Sequence, residues 1–213
     1  MVSILVPYGT GEGQTATVAD RIATVLTDCG HDATAINVDE SPSDLEVDDV
    51  DAVCLGASIH MGKHQSSVRE FVSANRDALA VRPTAFFQLS MSSAVADEDR
   101  QAEAAGYVDE FLEETDWHPD RIGLFGGALR YSKYGFIKRL LMKRIARDAT
   151  GDTDTSRDYE YTDWHEVEAF AADFAAFVEH RLGIAPPDAT GGEASSGTGS
   201  ESDDGRPDEA GAE

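Results

Sequence analysis

The sequence predicts an α/β fold: a doubly wound, five-stranded parallel sheet with helices on both faces. Three observations predict it. Short apolar runs alternate with segments of helical period along most of the chain, the pattern of strand–helix–strand crossovers. The first run feeds a glycine- and threonine-rich loop, Y-G-T-G-E-G-Q-T at residues 8–15, which opens directly into a helical pattern. Five strand patterns are present with no internal repeat, which suits the strand order 2-1-3-4-5.

The elements follow in order. Residues 2–6 form a buried-strand run, and residues 15–26 carry Val18, Ile22, Ala23 and Leu26 on one helical face. Residues 33–38 and 52–55 are the second and third strands, followed by a helix over 66–75. Residues 84–89 (T-A-F-F-Q-L) form the fourth strand, and 102–114 a helix bearing Tyr107, Phe111 and Leu112. Residues 121–125 are the fifth strand. The last helix, 164–180, aligns Val167, Phe170, Ala171, Phe174 and Phe177 into an apolar stripe. Asp163 precedes it as an N-cap, with Trp164 packing locally. Asp39 and Glu40 read as a solvated loop.

Composition narrows the function. The 213 residues contain 41 Asp plus Glu against 17 Lys plus Arg, a formal charge of −24. The lysines are Lys63, Lys133, Lys138 and Lys143 alone. An acidic, lysine-poor surface stays hydrated where salt screens charge, and points to a salt-rich cytoplasm. Nucleic acid is excluded as a partner, because phosphate backbones require basic patches. Cys29 and Cys54 have neither metal nor redox spacing and indicate a reducing compartment, with Cys54 a small core residue. No metal is expected. Without a basic leader or an apolar run near the roughly 18 residues of a membrane span, the expectation is a cytoplasmic protein.

Two segments depart from the rest. From Gly183 the chain is mostly Gly, Ser, Ala, Pro, Asp and Glu, with two threonines, Arg206 and a lone isoleucine, Ile184. It has too little apolar surface to offset its ordering entropy, so 183–213 is expected to be a disordered acidic tail behind a domain of residues 1–182. Residues 130–147, R-Y-S-K-Y-G-F-I-K-R-L-L-M-K-R-I-A-R, hold seven of the 17 basic residues and no acid. They fall before the last helix, where a minimal sheet needs only a crossover, and mark an insertion over about 130–150. Arg130, Lys138, Arg139, Lys143 and Arg144 are suited to anionic lipid or substrate carboxylates, with Tyr131, Tyr134, Phe136 and Leu140 for interfacial contact.

The loop after the first strand is an anion site, since helix N-terminal N–H groups converge there without need of a basic side chain. A P-loop is ruled out because no Gly-Lys-Ser/Thr is present, the first lysine being Lys63. The dinucleotide fingerprint is ruled out because Gln14 stands where its third glycine belongs. What remains is Thr10, Gly11, Glu12, Gly13, Gln14 and Thr15: hydroxyls at both ends of a glycine bend, suited to a terminal phosphomonoester such as that of FMN.

With Tyr8, Thr10, Gly13, Thr15, Ala19 and Ile22 at matching spacing, this stretch resembles the flavodoxin signature; Pro7 departs from it and is expected to shorten the first strand. The resemblance places the flavin ring at the carboxyl ends of the third and fourth strands. There stand Ala57, Ser58, Ile59, His60, Met61 and Gly62, with Leu89, Ser90 and Met91 opposite. Gly56 and Gly62 are expected to let backbone approach the ring, whose amides stabilise reduced-flavin charge. His60 and His64 read as solvated loop residues. No aromatic other than these histidines occurs in 57–65, so the ring is expected to be open to a substrate.

G-A-S-I, A-F-F-Q-L-S, W-H-P-D-R, G-G-A-L-R-Y, G-D-T-D-T and Y-T-D-W occur in that order, and with them residues 1–182 resemble the flavodoxin-like, quinone-dependent protoporphyrinogen oxidases of haem biosynthesis. The resemblance implies FMN-mediated oxidation of protoporphyrinogen IX to protoporphyrin IX. Electrons would leave to a membrane quinone of menaquinone type, with peripheral contact at the inner face of the membrane. The family's ring-loop tyrosine is replaced by Met61. No side-chain acid or base is identifiable. A flavodoxin-type electron carrier and an FMN-dependent NAD(P)H:quinone reductase stay open as alternatives.

Overall fold

The computed structural model describes residues 1–41, 47–129 and 159–184. The basic residues Arg130, Lys138, Arg139, Lys143 and Arg144, and the tail beyond Ile184, lie outside the described residues. The strands are β1 (Ser3–Tyr8), β2 (Asp32–Asn37), β3 (Ala52–Ser58), β4 (Thr84–Ser90) and β5 (Arg121–Gly126). All neighbours pair in parallel, in the order β2-β1-β3-β4-β5. Helices α1 (Gln14–Asp28) and α5 (Trp164–Leu182) cover one face of the sheet; α2 (Ser66–Ala74), α3 (Arg76–Ala80) and α4 (Glu98–Thr115) cover the other.

Strand alternation divides the core in two. Ala85, Phe87 and Leu89 of β4 pack with Val18, Ile22 and Leu26 of α1 and with Val167, Ala171 and Phe174 of α5. The alternate residue Phe86 joins Val68, Phe71, Val108 and Phe111 on the opposite face. Fully burying one such side chain stabilises the fold by roughly 1.5–3 kcal/mol, which makes these two stripes the chief support of the sheet. Asp163 caps α5 as expected: its Oδ1 accepts the His165 N–H at 2.9 Å and the Glu166 N–H at 3.3 Å. Trp164 donates from Nε1 to Glu160 at 2.9 Å.

Three expectations are corrected. Pro7 does not shorten β1, which runs through it to Tyr8. The ladder with β2 is continuous, whereas pairing with β3 skips Val6 and Pro7. Gly9 N–H donates across the β3 side to Gly56 O at 3.0 Å, so alternation turns the missing proline N–H to that side. Gly56 serves packing rather than ring approach: a Cβ there would lie 2.1 Å from the buried Phe87 ring. The tail boundary also moves. Gly183 adopts φ 66 as the left-handed cap of α5, and Ile184 donates to Glu179 O at 2.9 Å and packs against the α1/α5 core.

A small antiparallel pair, β6 (Ala128–Leu129) with β7 (Tyr159–Glu160), was not anticipated. It joins the two flanks of the segment that contains residues 130–147. Gly126, which ends β5, is pressed against this return: a Cβ would lie 2.2 Å from Tyr161 O, so only glycine fits.

Candidate functional site

A cavity of about 440 Å³ opens at the carboxyl ends of β1, β3 and β4, within the roughly 300–1,000 Å³ of ligand sites. Parallel strands and right-handed crossovers bring the loops after those strands together where the strand order reverses.

At one end stands the loop that precedes α1. Thr10 Oγ1 accepts the Gly13 N–H at 2.9 Å, folding the loop on itself, and Gly13 reaches φ 96, a left-handed conformation suited to glycine. Helix α1 then starts at Gln14 with no side-chain cap and no acid in its first turn. No N-cap side chain therefore competes with an anion at the first turn of the helix. Gln14 is braced from behind: its Nε2 donates to Thr162 Oγ1 at 2.9 Å, and that hydroxyl donates to Gly126 O at 2.8 Å. Space beyond Gly11 is open. These are the features an FMN phosphate needs, so the loop fits the cofactor.

Two loops flank the middle of the cavity. After β3, His60 and Lys63 exchange N–H···O bonds of 2.9 and 3.2 Å around Met61 and Gly62, both at positive φ. This is a two-residue hairpin turn. Met61 is carried on its apex, 76% exposed. The Ile59 N–H is bound to Leu89 O at 2.9 Å and the His60 N–H to Lys63 O, so neither is available to a ring; the apex amides of Met61 and Gly62 take no part in that pairing. After β4, Ser90 Oγ accepts the Ser93 N–H at 3.0 Å and shapes a short 3-10 turn over Ser92–Ala94.

Helix α4 supplies a wall that sequence reasoning missed. Arg100, Glu103 and Tyr107 share one helical face and line the cavity. Glu103 joins them: its Oε2 accepts from Ser92 Oγ at 2.8 Å and Arg100 Nη1 at 3.0 Å, and its Oε1 from Tyr107 Oη at 2.9 Å. The Ser92 bond, aided by those from Tyr107 and Arg100, holds the Glu103 carboxyl below its usual range. Burial, with the bond to Glu103, pushes the Tyr107 phenol up. Arg100 escaped notice because the helix was expected to begin at residue 102. The available signal was Asp97, which caps α4 through Oδ1 to the Arg100 N–H at 3.1 Å, followed by Glu98 and Asp99 in the first turn.

Behind this wall, His64 is buried rather than solvated, another correction. Its Nε2 lies 2.8 Å from Gln88 Oε1, and Gln88 Nε2 donates to Ala104 O at 2.9 Å. The imidazole packs on Phe86 and Phe111, and burial pushes its pKa down to about 4. It is a neutral brace between β4 and α4. His60 is exposed and lines the cavity.

Of the residues expected around the cofactor, Thr10, Gly11, Glu12, Gln14 and Thr15 line the cavity at one end. Ser58, Ile59, His60, Met61 and Gly62 line it beside Leu89, Ser90 and Met91. Gly13 instead shapes the loop. Ala57 lies wholly buried in the core beneath the site. Ser92, Gly127 and Ala128 are further lining residues. Among the described residues no group of acidic, His or Cys side chains is arranged to hold a metal ion, and no helix is long and apolar enough to cross a membrane.

Comparison with known proteins gives consistent results. Residues 5–156 match the flavodoxin domain family. The protoporphyrinogen IX dehydrogenase [quinone] of Escherichia coli (strain K12) is 35% identical over 177 residues, 82% of this chain and 96% of that protein. The Leishmania major protein of the same name is 34% identical over 176 residues, 81% of this chain and 74% of its own. A short-chain flavodoxin associated with a non-canonical PDU bacterial microcompartment superposes with a TM-score of 0.50 at 13% identity, over 84% of this chain and 99% of that one.

Proposed function

We propose, from the premise that the chain belongs to the flavodoxin domain family and to its branch of quinone-dependent protoporphyrinogen IX dehydrogenases, that it is an FMN-dependent oxidoreductase converting protoporphyrinogen IX to protoporphyrin IX with a quinone as acceptor. The observation that carries the reading is the uncapped N-terminus of α1, which opens on a cavity roomy enough for a flavin and ringed by the loops after β3 and β4.

Bound FMN supplies a hydride acceptor that can release electrons singly to a quinone. The chain's own contributions follow from its geometry. Thr10, Gly11, Glu12, Gly13, Gln14 and Thr15 form the phosphate end, where backbone N–H groups and hydroxyls offset the charge without a lysine. Ser58 through Gly62 and Leu89 through Met91 flank the ring. The apex amides of Met61 and Gly62 are the donors this loop offers to charge developing on the ring during reduction. The Met61 side chain leaves an edge of the site open to substrate.

Basic residues 130–147 complete the reading as a peripheral contact with the membrane that carries the quinone, of menaquinone type. Support comes from the flanks: Ala128 of β6 lines the cavity, and β7 returns beside it. Reversing Lys138, Arg139, Lys143 and Arg144 to glutamate is expected to spare FMN binding and impair turnover with a lipid-embedded quinone. Recovery with a water-soluble quinone supports membrane contact; a persistent defect assigns the segment to substrate binding.

The test of the whole reading is an assay of purified holoprotein with protoporphyrinogen IX against NAD(P)H as donor, and quinone as acceptor. Porphyrin formation is expected. Turnover with NAD(P)H alone makes the protein a nicotinamide:quinone reductase, and turnover with neither leaves an electron carrier.

A further inference from the structure

Resting on that reading, we propose that Arg100 anchors a propionate carboxylate of the tetrapyrrole, with Glu103 as the residue that positions it. Arg100 is the one lysine or arginine among the described residues lining the cavity. On a chain of formal charge −24 it gives the described lining its one fixed positive charge.

Position supports a substrate role over a cofactor role. The Arg100 and Glu103 side chains are 36% and 39% exposed, open to a molecule that approaches the cavity from solvent. A substrate that enters after the flavin arrives by that route. Helix α4 spans the two ring loops: Glu103 is bonded to Ser92, and Tyr107 shares a small crevice with Gly62. Arg100 therefore stands on the ring side of the cavity, beside the macrocycle whose propionates it would hold.

The chemistry of the pair fits a carboxylate. A guanidinium carries five donors, so the bond from Nη1 to Glu103 does not exhaust its capacity to bind a carboxylate. Glu103, tied by the Ser92 and Tyr107 hydroxyls, is a fixed tether one helical turn away from Arg100. A planar fork held in one orientation recognises a carboxylate with directional bonds, which a mobile lysine does not.

The experiment compares protoporphyrinogen IX with its dimethyl ester, using holoprotein and a water-soluble quinone, for wild type and Arg100→Gln. Wild type is expected to prefer the diacid by about 10- to 100-fold in kcat/KM. R100Q is expected to lose that preference through KM, with kcat and FMN affinity within about twofold of wild type. If wild type oxidises neither compound, the functional reading itself fails. If it oxidises both equally, or R100Q keeps the preference, the anchor is wrong while the functional reading stands. Loss of FMN by R100Q makes Arg100 a cofactor ligand and overturns the proposal. Should R100Q not fold, Arg100→Lys replaces it, and a KM for the diacid equal to that of wild type overturns the anchor.

Discussion

The two ends of the cavity are built on opposite principles. The end before α1 is made of consecutive residues and works through backbone: a loop closed by the Thr10–Gly13 bond and a helix start left uncapped. The α4 wall is made of side chains three or four residues apart, tied by Glu103 to a serine from another loop. A backbone site depends on a contiguous string bent at Gly13, whose positive φ tolerates little change. A side-chain wall depends on helix phase and on a neighbour brought in by the fold. The first suits an invariant phosphate, the second a substrate that the surrounding charge must select.

The largest expected effect tests the backbone end. Thr10→Ala with Thr15→Ala is expected to weaken FMN by roughly 1–3 kcal/mol per hydroxyl, while riboflavin, lacking the phosphate, changes far less. Fluorescence titration of both flavins in high salt measures the ratio; an unchanged ratio means that the phosphate lies elsewhere.

Next comes the brace behind the wall. Burial lowers the His64 pKa from 6.5 to about 4 in the folded protein. The unfolded chain therefore binds this proton first as pH falls. The stability from neutral His64 is complete above about pH 6.5 and is lost towards pH 4, on the order of 3 kcal/mol. His64→Gln keeps an amide for Gln88 and removes the titration, so its stability in urea should fall less steeply across that window. Parallel curves for the two proteins would show that His64 does not govern it.

Tyr107→Phe deletes one hydroxyl of the wall and is expected to cost about 0.5–1.5 kcal/mol of stability. The ratio of FMN to riboflavin affinity should stay put, in contrast to the threonine pair. A shift in that ratio would erase the distinction between the two ends.

The smallest effect concerns α5. Truncation after Ile184 should leave thermal stability unchanged, whereas truncation after Leu182 removes the left-handed cap and the Ile184 contact, costing about 1 kcal/mol. Equal melting temperatures for the two truncations would mean that the cap contributes nothing.

What could be read along the chain was whatever is encoded locally. The succession of strands and helices, the stripe of Val18, Ile22 and Leu26, and the Asp163 cap follow from periodicity and caps within a few residues, and the 2-1-3-4-5 order from the fold class that this succession implies. The six-residue phosphate loop is legible for the same reason, because its donors are successive amides. The α4 wall was not legible, since Ser92 and Glu103 meet only once the turn after β4 and the first turns of α4 are folded together. Nor was the partnership of His64 with Gln88: a polar residue in a strand pattern announces that it needs a partner, but 24 residues of chain separate the two. The role of Gly56 stayed hidden until the Phe87 ring was seen lying against it across the sheet. Periodicity specifies which face a side chain takes. Which side chain it meets there depends on how strands and helices pack, and that is set by the register and crossing of elements distant in sequence.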